Sequence, residues 1–148
     1  MRVSVIGGST VDGDTYAEAR ELGRLLAERG HTVVCGGYGG VMEAVCRGAK
    51  ENDGRTVGVL SGDDPGEANG YVDVPVATNM GHARNALVVL NGEAVVAVDG
   101  AYGTLSEIAH ALVLGRRVVG LCTHDIEGVE GVRTPQEAVD RVERQSDS

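Results

Sequence analysis

The sequence predicts an α/β fold with a single doubly wound, mainly parallel sheet, Rossmann-like in type, and helices on both faces. Short apolar runs, typical of strands buried on both faces, alternate along the chain with segments of helical periodicity. Two of these runs, ending at Cys35 and Val98, lead through glycine-rich turns into a helical pattern. Such strand–turn–helix units build parallel sheets. No linker or low-complexity tract interrupts the pattern, so we expect one domain spanning residues 1–148.

The first half of the chain is predicted to hold three strands and two helices. A strand over residues 2–6 ends in the turn Gly7-Gly8-Ser9-Thr10. Asp14 or Thr15 is placed to cap the following helix, and Gly30 is placed to end it. The next elements are a strand at 32–35, a helix from about 40 to 52 and a strand at 56–60.

The second half begins with a polar, acidic loop over residues 61–70, which follows a strand and so belongs on the same rim as the glycine turns. Thr134, Pro135 and Glu137 form a strong start signal for the last helix. The other predicted elements are a short strand at 71–74 closed by Pro75, a helix at about 79–90, a strand at 93–98, a helix ending at Leu114, a strand at 116–121, and the last helix, which reaches Gln145 before a polar tail.

The segment Ala86–Leu90 is apolar on nearly every side, which is typical of a helix buried on more than one face. In a chain this short, a second copy of the protein is the expected cover. We therefore expect a homodimer or a homotetramer.

The composition disfavours several classes of partner. The net charge is −9 and the isoelectric point about 4.8. Nucleic acid is not expected as a partner, because phosphate backbones bind basic surfaces. No apolar stretch approaches the roughly 20 residues of a membrane span, and no segment has the pattern of a secretory signal. We expect a cytoplasmic protein with no membrane partner.

Lys50 is the only lysine, and the chain has no Phe or Trp. An acidic, lysine-poor composition resembles that of proteins from salt-loving organisms, in which carboxylates stay hydrated when salt screens charge. A GC-rich genome would also favour arginine over lysine. We hypothesise a halophilic protein, which would unfold on transfer to low salt.

The three cysteines, Cys35, Cys46 and Cys122, are widely spaced and form no C-x-x-C motif. This pattern argues against a disulfide framework and against a structural zinc site. Cys35 and Cys122 each end a predicted strand, where one of them could line a site. The favoured interpretation is that they are small buried hydrophobes.

The turn at residues 99–103 is the strongest candidate for a ligand site. The helix that it opens presents free backbone N–H groups, and such groups bind anions. Thr104 and Glu107 lie three residues apart at the start of this helix, so the alternative is a capping box with no ligand. Tyr38 and Tyr102, one in each glycine turn, are candidates to stack on a flat ring.

Taken together, these motifs make the sequence resemble the LOG-like family, whose best-known members are nucleoside 5′-monophosphate phosphoribohydrolases that release cytokinin bases. The family motif G-G-x-x-G-x-M corresponds to residues 36–42, and P-G-G-x-G-T-x-x-E corresponds to residues 99–107. The family's arginine matches Arg84, followed here by Asn85. The short branch with R-N and G-T-L-S-E is also similar to the molybdenum cofactor carrier proteins.

The resemblance implies hydrolysis of the N-glycosidic bond of a nucleoside 5′-monophosphate to free base and ribose 5-phosphate, with no required cofactor and no metal. Glu107 would stabilise the oxocarbenium-like centre, hold the ribose or activate water. Arg84 would bind the phosphate or support the departing base. The residues expected to shape the ligand site are Gly7, Gly8, Ser9, Gly36, Gly37, Gly39, Gly40, Asp99, Gly100, Ala101, Gly103 and Thr104.

The alternative implied by the same resemblance is a non-catalytic carrier or sensor, which binds a molybdopterin-type cofactor or a nucleotide in the same groove. Asp99, Ala101 and Asn85 depart from the Pro, Gly and Lys of the hydrolase pattern. Asp99 would oppose a phosphate, and a positive φ at Ala101 would cost roughly 1 kcal/mol. A dinucleotide oxidoreductase ranks third, because G-x-G-x-x-G is missing after the first strand.

Overall fold

The computed structural model describes residues 1–144, and within them a seven-stranded sheet and five α-helices. The strands are β1 (Arg2–Gly7), β2 (Thr32–Cys35), β3 (Thr56–Leu60), β4 (Val74–Ala77), β5 (Ala94–Val98), β6 (Arg117–Leu121) and β7 (Val129–Val132). The helices are α1 (Gly13–Glu28), α2 (Val41–Glu51), α3 (Asn85–Leu90), α4 (Tyr102–Val113) and α5 (Pro135–Glu143). Short 3-10 helices lie at Pro65–Glu67 and Gly81–Arg84.

The sheet has the strand order β4-β3-β2-β1-β5-β6-β7, and every pairing is parallel. The chain moves outward from β1 to one edge, then returns to β5 and moves outward to the other. The predicted doubly wound fold is therefore confirmed. The switch point lies between β1 and β5, where a parallel sheet opens a crevice at the carboxyl ends of its strands.

Helices cover both faces of the sheet, as predicted. Val3 and Val5 of β1 belong to the apolar cluster formed with α1, α2 and α5. Ile6 belongs to the opposite cluster, formed with α3 and α4. Ser4 lies on this second side and donates a 2.6 Å hydrogen bond to the carbonyl of Val88 in α3. The alternation along β1 thus assigns each helix layer its own core.

The boundaries of two helices correct the sequence expectations. Asp12 caps α1 by accepting a 2.8 Å hydrogen bond from the backbone N–H of Thr15, so the expected caps Asp14 and Thr15 lie inside the first turn. The single helix expected at 79–90 is a 3-10 turn followed by the short helix α3.

The start of α5 is confirmed, since the Thr134 hydroxyl accepts a 3.1 Å hydrogen bond from the backbone N–H of Glu137. The expected continuation of this helix to Gln145, and the polar tail, lie outside the described residues.

The two edge strands are where strand prediction fails. The expected strand at 71–74, closed by Pro75, is wrong: Pro75 lies inside β4. An edge strand tolerates proline because one side of its backbone needs no ladder partner. The strand β7 was not predicted, because Glu130 and Gly131 interrupt its apolar pattern.

Two smaller expectations have separate outcomes. Cys35 and Cys46 are buried, but Cys122 is exposed, so the interpretation of Cys122 as a buried hydrophobe is wrong. In α3, Val88 and Val89 are fully buried within the chain while Leu90 is 47% exposed. The expectation of a second copy covering this helix stays a prediction. In the part of the chain that the structure describes, no helix is long and apolar enough to cross a membrane.

Candidate functional site

A cleft of about 400 Å³ opens beside the carboxyl ends of β1 and β2. Its walls come from the turns after these strands, the 3-10 helix before α3, and the first turns of α4. The residues that line it are Val5, Ile6, Gly7, Gly8, Ser9, Gly36, Tyr38, Met42, Ser61, Gly81, His82, Arg84, Asn85, Ala101, Gly103, Thr104 and Glu107.

Glu107 lines the cleft from α4 and is only 7% exposed. Burial raises the pKa of its carboxyl group to about 7, and the positive charge of Arg84 acts in the opposite direction. Among residues 1–144, no side chain or backbone group forms a hydrogen bond or an ion pair with this carboxyl. A carboxyl group held in this way exchanges its proton near neutral pH, which is a property of general acids and bases.

The N-terminus of α4 forms the neighbouring part of the cleft. The helix begins at Tyr102, and within residues 1–144 no side chain caps it. Thr104 is therefore the third residue of the helix, and the capping box considered from the sequence does not form. The N–H groups of a first helical turn have no intrahelical acceptor, so they are available to an anion beside Gly103 and Thr104.

The sequence raised the possibility of a strained, positive φ at Ala101. Its φ is −123°, so no left-handed strain arises there. The positive φ values lie instead at Asp99 (55°) and Gly100 (116°).

Arg84 lies at the end of the 3-10 helix, in the same cleft. Its Nη1 donates a 2.7 Å hydrogen bond to Oδ1 of Asn85. Its Nη2 lies 3.5 Å from the carbonyl of Gly36, and its guanidinium lies 5.6 Å from the centre of the Tyr38 ring. A Cβ on Gly36 would be 2.9 Å from Nη2, so a side chain at this position would force the guanidinium to shift.

Tyr38 is held in the cleft wall by its hydroxyl oxygen. The Ser61 hydroxyl and the backbone N–H of Gly62 donate hydrogen bonds to it, at 3.2 and 3.1 Å. The other candidate for ring stacking, Tyr102, is 88% exposed and does not line the cleft.

Most of the site residues expected from the sequence meet in this cleft. It contains Glu107, Arg84, Gly7, Gly8, Ser9, Gly36, Ala101, Gly103 and Thr104. The expected residues that do not line it are Gly37, Gly39, Gly40, Asp99 and Gly100.

Gly37, Gly39 and Gly40 lie in the turn that joins β2 to α2. Asp99 lines a separate, smaller depression, together with Asp14, Glu18 and Cys122. One oxygen of the Asp99 carboxylate nevertheless lies close to the cleft, 3.5 Å from the position of a Cβ on Gly8.

The cleft residues that the sequence did not indicate include Ser61, Met42 and Asn85. Ser61 begins a loop whose place on this rim follows from its position after β3, but its contact with Tyr38 depends on the tertiary fold. Met42 belongs to the first glycine motif, where it was not given a role. Asn85 was considered only as a missing lysine, and its hydrogen bonds could not be foreseen. Within residues 1–144, no cluster of three or more His, Cys, Asp or Glu side chains could hold a metal ion.

The fold and the cleft define a Rossmann-like α/β protein with a glycine-rich turn and a helix N-terminus beside a buried carboxyl group. The chain belongs to the SLOG cluster4 family, whose model matches residues 1–147. The resemblance to LOG-like proteins is therefore confirmed.

Two relatives extend this assignment. An uncharacterized protein of Archaeoglobus fulgidus is 45% identical over 140 residues, which cover 94% of this chain and 92% of that protein. A probable cytokinin riboside 5′-monophosphate phosphoribohydrolase of Oryza sativa subsp. japonica is 36% identical over 117 residues, covering 75% of this chain. The match spans 47% of the length of the rice protein.

Solved structures show a second similarity. The molybdenum cofactor binding protein of Rippkaea orientalis superposes with a TM-score of 0.90 at 30% identity, covering 96% of this chain and 94% of that one. The molybdenum cofactor carrier protein of Chlamydomonas reinhardtii superposes with a TM-score of 0.89 at 30% identity, covering 99% and 98%. The DNA processing protein A of Helicobacter pylori, at 17% identity and a TM-score of 0.74, shares the fold.

Proposed function

We propose that this protein hydrolyses the N-glycosidic bond of a nucleoside 5′-monophosphate, giving free base and ribose 5-phosphate. The observation that carries the proposal is the environment of Glu107. Its carboxyl group is buried in the cleft wall, exchanges its proton near pH 7, and lies one helical turn from an uncapped helix N-terminus. These features support a role for Glu107 in proton transfer and a role for the helix N-terminus in binding the phosphate.

The phosphate of the substrate binds at the start of α4. The free N–H groups at Gly103 and Thr104, and the hydroxyl of Thr104, supply donors without a positive side chain. Thr104 and Glu107 are three residues apart, so they lie on the same side of the helix. A phosphate at Thr104 therefore directs the attached ribose along the cleft wall toward Glu107.

Glu107 acts in its ionised form. The carboxylate stabilises positive charge at the anomeric carbon as the glycosidic bond breaks, and it accepts a proton from the attacking water. The hydroxyl of that water bonds to the anomeric carbon. The base leaves with the electron pair of the broken bond and takes up the proton that Glu107 accepted from the water. Atoms and charge then balance.

Arg84 supports the same step from across the cleft. Its guanidinium carries a fixed positive charge that stabilises the electron-rich departing base. Asp99 is not among the residues that line the cleft, but its carboxylate lies close to Gly8, so the proposal puts the phosphate at Gly103 and Thr104 and not beside Gly8. The rice relative, named as a probable phosphoribohydrolase, supports the same reaction class.

A second candidate function is a carrier that binds a phosphorylated pterin without chemistry. It is supported by the two molybdenum cofactor proteins, which match nearly the full length of this chain and of their own. The cleft has features that suit such a ligand: an uncapped helix N-terminus for a phosphate and the Tyr38 ring beside it. In this case Gly103 and Thr104 would hold the phosphate of a molybdopterin-type ligand, and Glu107 would accept hydrogen bonds from its ring.

The two candidates are separated by incubating the protein, in high salt, with a panel of nucleoside 5′-monophosphates. Chromatography then detects free base. The nucleosides without phosphate serve as matched substrates, and Glu107→Gln serves as the matched variant. Base release from a nucleotide, lost in the variant and absent with the nucleosides, supports the hydrolase. If the folded protein releases no base from any nucleotide, the hydrolase is excluded. Native mass spectrometry of the purified protein then tests for a bound pterin.

A further inference from the structure

A chain of three hydrogen bonds connects the two halves of the cleft. Arg84 Nη1 donates to Asn85 Oδ1 at 2.7 Å, and Asn85 Nδ2 donates to the Ser106 hydroxyl at 3.1 Å. The Ser106 hydroxyl in turn donates to the Gly103 carbonyl at 2.7 Å. The amide of Asn85 uses its acceptor toward the cation and its donor toward α4. The chain therefore runs from the guanidinium to the backbone of the anion-binding turn.

We infer that Asn85, acting with Ser106, is a positioning residue that fixes the Arg84 guanidinium relative to the N-terminus of α4. The inference deepens the proposed function, because it concerns the same cleft, but it does not require the reaction to occur. It assigns a role to a position that differs from the lysine of the hydrolase pattern.

The burial of Asn85 shows why its amide matters. The residue is 4% exposed at the start of a helix whose remaining residues are all apolar. A buried amide requires hydrogen-bond partners. Here the partners are Arg84, which lines the cleft, and Ser106 of α4. A Cβ added to Gly103 would have the Asn85 Nδ2 atom as its nearest neighbour, at 4.0 Å, so the amide lies directly against the turn.

The other contacts of Arg84 are weaker than its bond to Asn85. The distance from Nη2 to the Gly36 carbonyl is 3.5 Å, at the limit of a hydrogen bond. The contact with the face of the Tyr38 ring does not hold the guanidinium in one orientation. The Nε atom is buried, and nothing within residues 1–144 accepts a hydrogen bond from it. Removal of the Asn85 amide therefore leaves the guanidinium free to move toward solvent.

Such a movement has a measurable consequence at Glu107. Arg84 is the charged group that lowers the pKa of the Glu107 carboxyl, against the effect of burial. Among the described residues, the other ionisable side chains that line the cleft are His82 and Tyr38, and the buried thiol of Cys35 also interacts electrostatically with Glu107. None of the three takes part in the hydrogen-bond chain. A displaced guanidinium weakens the opposing charge, so the pKa of Glu107 rises further.

The test is an NMR titration of protein labelled with ¹³C at the glutamate carboxyl carbon. The signal of Glu107 is identified as the one missing from Glu107→Gln. In Asn85→Leu we expect the Glu107 pKa to rise by up to about one pH unit, the scale on which a nearby opposite charge acts. Asn91→Ala is the matched control, because Asn91 ends the same helix and its amide bonds only the Leu87 carbonyl among the described residues. It should leave the titration unchanged.

A second pair of variants keeps the inference falsifiable if Asn85→Leu does not fold. Ser106→Ala removes the link to Gly103 and should raise the Glu107 pKa by a smaller amount. Ser106→Thr keeps the hydroxyl and should restore the wild-type titration. An unchanged Glu107 pKa in folded Asn85→Leu overturns the inference. If Asn85→Leu does not fold, an unchanged Glu107 pKa in Ser106→Ala overturns it instead. Because the titration needs no ligand, a failed hydrolase assay has no bearing on it.

Discussion

Thr104 and Glu107 lie three residues apart on α4, are 3% and 7% exposed, and line the same cleft. Neither side chain caps the helix, because α4 already begins at Tyr102. The hydroxyl and the carboxyl are therefore both available to a ligand. Their fixed spacing on a rigid helix is the relationship on which the proposed chemistry depends.

The first prediction concerns stability and pH. The pKa of Glu107 is near 4.5 in the unfolded chain and about 7 in the folded protein. Between these values the folded protein binds more protons, so the free energy of unfolding falls as the pH rises from about 4.5 to 7. Glu107→Gln removes this loss and should be more stable than the wild type at pH 8, by up to about 3 kcal/mol, at 1.36 kcal/mol per pH unit.

Denaturant unfolding at pH 4.5 and pH 8 measures the effect. The exposed residue Glu127 provides a control, since Glu127→Gln should change stability little at either pH. A Glu107→Gln variant no more stable than wild type at pH 8 would show that the carboxyl is not buried as described.

The second prediction is the pH dependence of catalysis. If the ionised form of Glu107 is active, kcat/KM rises with pH up to about 7 and is constant above it. His82→Asn is the control for the histidine that lines the same cleft, and it should preserve the profile. A rate that falls with pH over this range would assign Glu107 the role of a general acid instead.

The third prediction concerns the contact between Gly36 and Arg84. A Cβ at residue 36 would lie 2.7 Å from the Met42 sulfur and 2.9 Å from Arg84 Nη2. Both are ends of flexible side chains, so Gly36→Ala should fold but displace the guanidinium. We expect about tenfold weaker binding of a nucleoside 5′-monophosphate by calorimetry, which corresponds to about 1.4 kcal/mol.

Gly39→Ala is the matched control in the same turn, since its nearest neighbour would be at 3.4 Å. It should bind as the wild type does. Equal affinities of Gly36→Ala and Gly39→Ala for the nucleotide would show that Arg84 does not contribute to ligand binding.

The fourth prediction concerns the cap of α5. The Thr134 hydroxyl satisfies the backbone N–H of Glu137 at the start of this helix. Thr134→Ala should lower the free energy of unfolding by about 1 kcal/mol, while Thr134→Ser should keep most of it. Chemical denaturation of the wild type and the two variants measures these free energies. An equal loss of stability in both variants would show that the hydroxyl is not the stabilising group.

Sequence reasoning succeeded for elements with a strong local signal. The buried strands β1, β2, β3 and β5 are rich in apolar residues, and the fold follows from their alternation with helices. It failed at the two edge strands, because an edge strand can form with few buried apolar residues. Pro75 therefore looked like a strand end although it lies inside β4, and β7 has one buried residue, Val132.

The same division applies to the site. Glu107, Arg84 and Gly36 could be proposed because the motifs name them, and the structure brings all three to one cleft. Asp99 was expected to line the same cleft, but it lines a separate depression, and only its carboxylate approaches the cleft, near Gly8. The link from Asn85 to Ser106 joins residues 21 positions apart, so no local pattern could indicate it.

The central claim is that Glu107 breaks the N-glycosidic bond of a nucleotide held at the start of α4. The most direct measurement compares the rate of base release by wild type and by Glu107→Gln, using a nucleotide that calorimetry shows both proteins bind. We predict comparable affinities, with release by the wild type and a loss of at least about 100-fold in the variant. Equal rates of release would contradict the role of Glu107. Tight binding with no release by the wild type would contradict the enzyme and favour the carrier.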